Sequence, residues 1–257
     1  MNIAIIGSGN LANQMGTALI KAGHKITRVY GRNIEKVYQL ALKFDADYTT
    51  DLWSKARNTE AYLILVNDDA IKEVASKLNA DNSLLIHASG STDIDVLSDF
   101  SENFGVIYPF FTFSSQPSID WKKIPICFEA NNLESAEKLD NLANTLSDQV
   151  YFMDFEKRKK LHLAGVFACN FTNYLYRIAE ELVAKSGLSI EILKPIILET
   201  ALKIQQTSAA KVQTGPAIRG DLETIQKHLD ILDNDKDFRE IYKLMSEGIM
   251  QKYEQIG

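Results

Sequence analysis

A glycine-rich turn directly after the first apolar run constrains the fold of this chain more than any other feature. Residues 3–6 read Ile-Ala-Ile-Ile and lead into the spacing Gly7-x-Gly9-x-x-Ala12, which passes into helix-forming sequence. A strand, a G-x-G-x-x-A turn and a helix in this order are typical of the first unit of a dinucleotide-binding domain. The N-terminal part of the chain is therefore predicted to bind a dinucleotide.

The small residues of this turn have separate physical roles. Gly7 permits the tight strand-to-helix turn, Gly9 lets the backbone approach a pyrophosphate, and Ala12 lets the helix pack closely on the strand. The N–H groups at the start of the helix would face the phosphates, where the helix dipole favours negative charge. The predicted cofactor-binding segment consists of Gly7, Ser8, Gly9, Asn10, Leu11 and Ala12.

The composition limits the kinds of partner that this protein is predicted to bind. The 257 residues carry a formal net charge of -6, so no basic excess is available to neutralise nucleic-acid or membrane phosphates over an area. The two cysteines form no C-x-x-C pair, the four histidines show no metal-ligand spacing, and no segment approaches the length of a membrane span. These features predict a cytoplasmic protein without a metal, a nucleic-acid partner or a membrane partner.

Apolar runs alternate with helix-like segments through residue 153. After the first strand, strands are predicted at residues 25–30, 61–66, 84–88, 106–108, 126–128 and 150–153, and helices at 34–44, 69–78 and 133–146. Parallel strands need crossover connections, which helices provide. The alternation therefore predicts an α/β fold in which residues 1–153 form a Rossmann domain with a doubly wound, mostly parallel sheet.

Beyond residue 153 the apolar positions fall at helical spacing, which predicts an all-helical C-terminal domain of residues 154–257. Its helices are predicted at residues 161–185, after Ser189, from Asp221 to residue 232, and at 238–255, with Ser189 and Asp221 as N-caps. The charged run at residues 156–160 is predicted to be a solvated start to the long helix.

The end of the second strand bears on the choice between NAD and NADP. An NAD-selective site usually presents an acidic residue there to the ribose hydroxyls, but this chain has Arg32 and Asn33. The Arg32 guanidinium can pair with a 2′-phosphate and Asn33 can donate to it, which favours NADP; the alternative is that Arg32 is a surface charge. After the next predicted strand, Asn67 and Asp68 are predicted cofactor neighbours; the alternative is that Asp68 or Asp69 caps the following helix.

Two later strand ends are predicted to face the nicotinamide and the substrate. The strand at residues 84–88 leads into small and hydroxyl-bearing residues, which allow close approach of a ligand. There Ser89 is predicted to contact the cofactor and Ser91 the substrate, with His87 a satisfied, partly buried residue rather than a catalytic one. Tyr108 ends another strand, at the edge where ligands of open α/β sheets bind, and is a predicted substrate contact.

Four residues on the long predicted helix share a spacing of four, which places them on one face. They are His162, Val166, Asn170 and Tyr174. His162 and Asn170 are predicted catalytic residues, and Tyr174 is a predicted substrate contact. Arg219, in a Gly-Pro loop, is a further substrate candidate, with pairing to Asp221 as the alternative.

Five blocks of the chain carry a family resemblance. They are Ile3 to Ala12, His87 to Ser91, Tyr108 to Phe113, His162 to Asn170 and Thr214 to Asp221. These blocks resemble NADP oxidoreductases that join a Rossmann-like domain to a C-terminal helical domain of unknown function, within the pyrroline-5-carboxylate reductase and 6-phosphogluconate dehydrogenase-like superfamily. The resemblance implies an NADP-binding fold, a homodimer formed through the helical domain, and a substrate cleft between the domains.

Related hydroxyacid dehydrogenases place a lysine four residues before an asparagine on the interdomain helix. This chain has Val166 before Asn170. If the helix geometry matches, the resemblance implies that the proton-donating ammonium is absent, and His162, one turn earlier, is the predicted substitute. The resulting prediction is an NADP(H)-dependent oxidoreductase that reduces a small carbonyl or imine, with His162 as acid and Asn170 as orienting donor. The alternatives are a catalytically inactive NADP-binding regulatory or sensing protein, and an enzyme that reduces a deazaflavin or iron.

Overall fold

The computed structural model describes residues 1–52, 58–78, 80, 82–114 and 119–253. The chain divides into two compact units, Met1–Ala168 and Cys169–Gly257. The predicted domain boundary between residues 153 and 154 stays a prediction, because a compact unit is not a test of independent folding.

Strands of the first unit form one sheet. They are β1 (Asn2–Ile6), β2 (Lys25–Tyr30), β3 (Asp47–Thr49), β4 (Ala61–Ile64), β5 (Leu84–His87), β6 (Phe104–Pro109), β7 (Ile126–Ala130) and β8 (Val150–Phe152). Over the described residues the order is β3-β2-β1-β4-β5-β6-β7-β8, and neighbouring strands are parallel except for antiparallel β6 and β7. The predicted α/β fold with a mostly parallel, doubly wound sheet is confirmed.

Helices lie on both faces of this sheet. They are α1 (Asn10–Lys21), α2 (Ile34–Phe44) and α4 (Leu133–Leu146) on one face and α3 (Ile71–Lys77) on the other, and after β8 the chain continues into helix α5 (Phe155–Gly165). Successive β1 side chains point to opposite faces, so Ile5 joins a core with residues of α1, α2 and α4, whereas Ile6 joins a second core with residues of α3. The central strand is therefore buried on both faces, as expected for a parallel sheet.

Local sequence signals correctly predicted the bounds of several helices and strands. The bounds of β2, α2 and α4 match the prediction, and the Asn33 side chain caps α2 by accepting a hydrogen bond from the backbone N of Lys36 at 3.0 Å. The edge strand β3 was not predicted, because three residues are too few to show an alternating pattern. The predicted helix at residues 69–78 begins instead as a 3₁₀ turn, Asp68–Ala70, before α3.

The long predicted helix differs from the expectation in two ways. It begins at Phe155 rather than at residue 161, because the Asp154 carboxylate accepts a hydrogen bond from the backbone N of Lys157 at 2.8 Å and so caps α5. After α5 the segment Val166–Phe171 is a π-helix, so the predicted uninterrupted α-helix is wrong. The run at residues 156–160 is also not wholly solvated, because Arg158 is fully buried.

The second unit contains helices α6 (Thr172–Lys185), α7 (Lys194–Gln206), α8 (Ala209–Val212), α9 (Leu222–Ile231) and α10 (Lys236–Tyr253). The predicted cap of α9 is confirmed, because the Asp221 carboxylate accepts from the backbone N of Thr224 at 3.0 Å. Ser189 begins a 3₁₀ turn rather than an α-helix, accepting from the backbone N of Glu191 at 3.3 Å. Over the described residues, the helices are too short or too polar for one of them to cross a membrane.

Candidate functional site

A cavity of about 730 Å³ opens at the carboxyl ends of β1, β2 and β4, the edge at which open α/β sheets bind ligands. Three strand-end segments supply much of its wall, and side chains of α2 and α3 supply the rest. The lining includes Gly7, Ser8, Gly9, Gly31, Arg32, Asn33, Lys36, Val66, Asn67, Asp69, Glu73 and Lys77. The first unit therefore brings the predicted glycine turn, Arg32, Asn33 and Asn67 around one cavity.

The glycine turn has the shape that a pyrophosphate site requires. Gly7 has φ +136°, and a Cβ there would lie 2.2 Å from the Leu65 carbonyl oxygen, so a larger residue does not fit. A Cβ built on Gly9 meets nothing within 4 Å in the described part of the chain, so the space beside it is open. The first N–H groups of α1 have no acceptor within the helix. An open cradle of free donors at a helix start suits an anionic pyrophosphate.

The other residues of the predicted phosphate segment have different surroundings. Ala12 is fully buried in the core between α1 and the sheet, in agreement with a packing role. The Asn10 side chain donates to the Phe113 carbonyl oxygen at 3.2 Å, which leaves its backbone N–H for a ligand. Leu11 packs its side chain against the core, so it too can offer only a backbone N–H.

Three cations and two carboxylates line the cavity beyond the turn. Arg32 directly precedes Asn33, the N-cap of α2, Lys36 lies in the first turn of α2, and Lys77 forms an ion pair with Glu73 on α3. The Lys77 hydrogen bond and charge lower the pKa of Glu73, and the Arg32 charge lowers it further. The sequence reasoning missed Lys36 and Lys77. The spacing of Lys36, four residues after Arg32 and in the first turn of α2, is the signal that could have found it.

The residues after β4 were predicted either to neighbour the cofactor or to cap the next helix. Asp68 and Asp69 lie inside the 3₁₀ turn, and the N-cap positions of the turn and of α3 are Asn67 and Ala70, so the alternative that Asp68 or Asp69 caps the helix is wrong. Asn67 lines the cavity. The Asp68 carboxylate instead accepts hydrogen bonds from the hydroxyls of Ser89 at 2.7 Å and Ser91 at 2.5 Å.

The loop from Ser89 to Thr92 is a compact hydrogen-bonded turn after β5. The backbone N–H groups of Ser91 and Thr92 both donate to the Ser89 Oγ, at 3.1 and 3.0 Å. The Ser89 hydroxyl therefore organises the loop and is almost fully buried, whereas Ser91 is exposed. The predicted cofactor contact of Ser89 and substrate contact of Ser91 stay predictions.

Tyr108 and His162 meet beside this loop. The Tyr108 hydroxyl lies 3.0 Å from His162 Nδ1, and a Cβ built on Gly90 would lie 2.7 Å from both that nitrogen and the Tyr108 Cζ. Burial raises the pKa of Tyr108 to about 12, so its hydroxyl keeps its proton at neutral pH. The pair therefore has a phenol available to donate to an imidazole nitrogen.

His87, at the end of β5, is fully buried rather than partly buried. Its Nδ1 accepts a hydrogen bond from the backbone N of Ser89 at 3.1 Å, but in the described part of the chain its Nε2 has no hydrogen-bond partner. Burial, with a smaller effect from the Arg158 charge, lowers the pKa of His87 to about 3. The prediction of a satisfied His87 is therefore correct for one ring nitrogen and wrong for the other.

Arg158 is a site residue that the sequence reasoning placed in solvent. Its Nη1 donates to the carbonyl oxygens of Ser89 and Thr92, both at 2.8 Å, and its Nη2 donates to the Glu129 carboxylate at 2.9 Å. Glu129 also accepts from the backbone N of Phe155 at 3.1 Å. The one sequence signal was an arginine within a run of lysines, since the planar guanidinium is the cation best suited to several fixed acceptors.

The remaining predicted residues lie in the second unit. Asn170 is in the π-helix and Tyr174 in α6, and both are exposed. Arg219 is exposed in the 3₁₀ turn Ala217–Arg219. Their predicted catalytic and substrate roles stay predictions. Over the described ranges, no three His, Cys, Asp or Glu side chains lie close enough together to hold a metal ion.

Comparisons with known proteins match both halves of the chain. A family described as "NADP oxidoreductase coenzyme F420-dependent" matches residues 2–89, and a "domain of unknown function (DUF2520)" matches residues 124–249. The solved structure described as "putative NADP oxidoreductase BF3122 from Bacteroides fragilis" is 38% identical, with 97% of this chain and 98% of that chain covered and a TM-score of 0.90. A comparison with curated proteins found no matching relative.

Two more distant structures show the same fold. Protein TM1727 from Thermotoga maritima is 24% identical, with 95% of this chain and 98% of that chain covered and a TM-score of 0.79. An imine reductase from Streptomyces aurantiacus is 12% identical, with 97% and 96% covered and a TM-score of 0.67. At these identities the similarity shows the fold alone.

Proposed function

The chain belongs to a family of NADP oxidoreductases that carry a C-terminal DUF2520 domain, and from this membership we propose that it reduces a small carbonyl or imine substrate with NADPH. The observation that supports the proposal most is the cavity at the glycine turn, which combines an open phosphate cradle with cationic side chains. The Tyr108 and His162 pair, in the same unit, adds a group able to give a proton.

The chain's own residues fit NADP. The backbone from Gly7 to Ala12 would hold the pyrophosphate, and Asn67 would contact the cofactor from the neighbouring strand end. Arg32 and Lys36 would bind the 2′-phosphate, with the Asn33 amide as a further donor because its carbonyl oxygen already caps α2. Ser89 would approach the nicotinamide end. When bound, reduced NADP supplies the hydride for the substrate carbon.

His162 would protonate the heteroatom that receives negative charge as the carbon is reduced. Because the Tyr108 hydroxyl keeps its proton and lies 3.0 Å from Nδ1, it donates to that nitrogen and leaves the proton of a neutral imidazole on Nε2. As the Nε2 proton passes to the heteroatom, the Tyr108 hydroxyl proton passes to Nδ1, so the imidazole stays neutral. The Tyr108 phenolate then regains a proton from solvent, so Tyr108 both fixes the tautomer and supplies the replacement proton.

Three residues of the second unit also carry proposed roles. The Asn170 amide is proposed as an orienting donor, and Tyr174 and Arg219, like Ser91 of the first unit, as substrate contacts. Asn170 lies within a π-helix, a feature that is frequent at functional sites. This supports a functional role for that segment.

The test is NADPH oxidation across a panel of small carbonyls and imines, with wild type and His162→Ala. Loss of a general acid lowers turnover by roughly 10²- to 10⁴-fold, while the NADPH Kd stays unchanged. The matched control is His228→Ala, because His228 Nδ1 makes a similar contact with the Tyr242 hydroxyl at 2.8 Å in the second unit. Unchanged turnover in His162→Ala would remove the histidine from the mechanism.

A second function is favoured by Val166, which stands where a related dehydrogenase has its proton-donating lysine. This is a binding protein that senses NADP without turnover. Tight NADPH binding with no oxidation across the panel would support the sensor, and any substrate-dependent oxidation would exclude it.

A homodimer through the second unit is also proposed. Helix α7 has no buried residue in the described part of the chain, and its exposed apolar side chains include Ile196, Leu198, Leu202 and Ile204. A second copy would cover this surface, since apolar area removed from water is stabilising. In sedimentation experiments the wild type should be a dimer and Leu198→Glu/Leu202→Glu a monomer, whereas Gln205→Glu, on the same helix, should stay dimeric. A monomeric wild type would contradict this assembly.

A further inference from the structure

We propose that Arg158 is a positioning residue of the reduction site, and that its hydrogen bonds to the Ser89–Thr92 loop hold that loop against the helix carrying His162. The inference rests on the proposed function for its catalytic meaning, but the contacts that define it lie wholly within the first unit. Arg158 does not reach the proposed reacting atoms, so it acts through other residues.

Arg158 is buried with specific hydrogen-bond partners and is not merely covered by neighbouring side chains. Its side chain is fully buried and donates to two backbone carbonyls and one carboxylate, all at 2.8 to 2.9 Å. Its guanidinium also lies 5.3 Å from the Phe155 ring centroid. A buried cation is costly unless an opposite charge balances it, and Glu129 supplies that charge. Among the described residues, the buried Arg158 Nε has no hydrogen-bond partner, so the two Nη atoms make all of these contacts.

This set of three acceptors requires the guanidinium group of an arginine. The guanidinium presents donors in a rigid planar fork, so Nη1 can serve the carbonyls of Ser89 and Thr92 while Nη2 serves Glu129. A lysine would bring the same charge as a single point with three donors on one atom. It would keep the charge balance with Glu129 but would not span all three acceptors.

The hydrogen bonds of Arg158 are connected to His162 through helix α5 and through the loop. Arg158 and His162 are four residues apart on α5, so they project from the same side of the helix, one turn apart. Arg158 fixes the two ends of the loop, and Gly90, within the loop, leaves no room for a side chain beside His162 and Tyr108, because an added Cβ would lie 2.7 Å from atoms of both. The loop is therefore held between Arg158 on one turn of α5 and His162 on the next.

The test compares Arg158→Lys, Glu129→Gln and the control Lys160→Met, an exposed change in the same charged run. The first readout is hydrogen exchange at the backbone N–H groups of Ser91 and Thr92, which report the loop and need no substrate. Arg158→Lys should speed exchange at these amides beyond the rest of the first unit. Glu129→Gln removes the ion pair but keeps the donors to the loop, so it should lower the melting temperature without this local increase.

The second readout is turnover with the best substrate of the panel. In Arg158→Lys a misplaced His162 should lower kcat by about 100-fold, with the KM for NADPH changed little. Lys160→Met should match the wild type. A wild type without turnover would refute the proposed function, while the exchange data would still decide the role of Arg158. Unchanged exchange in Arg158→Lys, or the same exchange pattern in Glu129→Gln, would overturn the proposal.

Discussion

The substitution Gly90→Ala tests the geometry of the proposed proton donor with one added methyl group. The new Cβ would lie 2.7 Å from His162 Nδ1 and 2.7 Å from Tyr108 Cζ. Ordinary contacts between such atoms are about 3.5 Å or longer, so the new Cβ must move roughly 0.8 Å away from each of these two atoms. Neither neighbour is the free end of a long flexible chain, so the hydrogen bond between them must open or the loop must move.

Either response lowers the free energy of unfolding. Overpacking costs about 1–3 kcal/mol, and loss of the Tyr108 to His162 hydrogen bond adds about 0.5–1.5 kcal/mol. Since each kcal/mol changes the melting temperature of a chain of this size by roughly 2–4 °C, Gly90→Ala should melt at least several degrees below wild type. A displacement near 1 Å at a catalytic group also lowers turnover by about 100-fold.

The assay is thermal unfolding together with NADPH oxidation and an NADPH titration. The matched control is Gly248→Ala in α10, where an added Cβ meets nothing within 4 Å among the described residues. This control should be as stable as wild type or more stable by up to about 1 kcal/mol, because alanine favours a helix. A Gly90→Ala protein with wild-type melting temperature and turnover would contradict the close contact of this loop with His162 and Tyr108.

Three further predictions concern the first unit. Tyr108→Phe should lower turnover with an unchanged NADPH Kd, because only the hydroxyl facing His162 Nδ1 is lost; equal turnover would contradict the tautomer assignment. Because the folded-state pKa of His87 is lowered from 6.5 to about 3, the unfolded chain binds an extra proton between these values. The free energy of unfolding should therefore fall below pH 6.5, by about 1.4 kcal/mol per unit, and His87→Asn should flatten this slope in denaturation at pH 4–7. Glu73→Gln should tighten NADPH binding in a titration at low salt, because it removes a negative charge from the cavity wall and frees Lys77; weaker binding would count against the cationic phosphate site.

The sheet and the cavity at the glycine turn were predictable because their signals are local. The turn at Gly7 and Gly9 is set by backbone space, and the caps at Asn33 and Asp221 each use an acceptor three residues before its donor. Sequence spacing over a few residues is enough to find such features. The edge strand β3 is too short for the same reasoning.

The contacts that organise the loop were not predictable, because they join distant parts of the chain. Arg158 is buried by Glu129 and by carbonyls of Ser89 and Thr92, which lie 29, 69 and 66 residues away in sequence. Asp68 similarly serves Ser89 rather than its own helix. The π-helix at Val166–Phe171 also changes the geometry of the four-residue repeat, and a repeat alone does not distinguish the two kinds of turn.

We propose that the cavity at the glycine turn binds NADP through the 2′-phosphate of the cofactor. The most direct measurement is a calorimetric titration of wild type and Arg32→Ala with NADPH and with NADH. NADPH should bind wild type more tightly than NADH, and Arg32→Ala should weaken NADPH binding by roughly 10- to 100-fold while NADH changes little, because a charge-assisted contact is lost. Equal affinity of wild type for the two cofactors, or an Arg32→Ala protein that still prefers NADPH to the same extent, would contradict the claim.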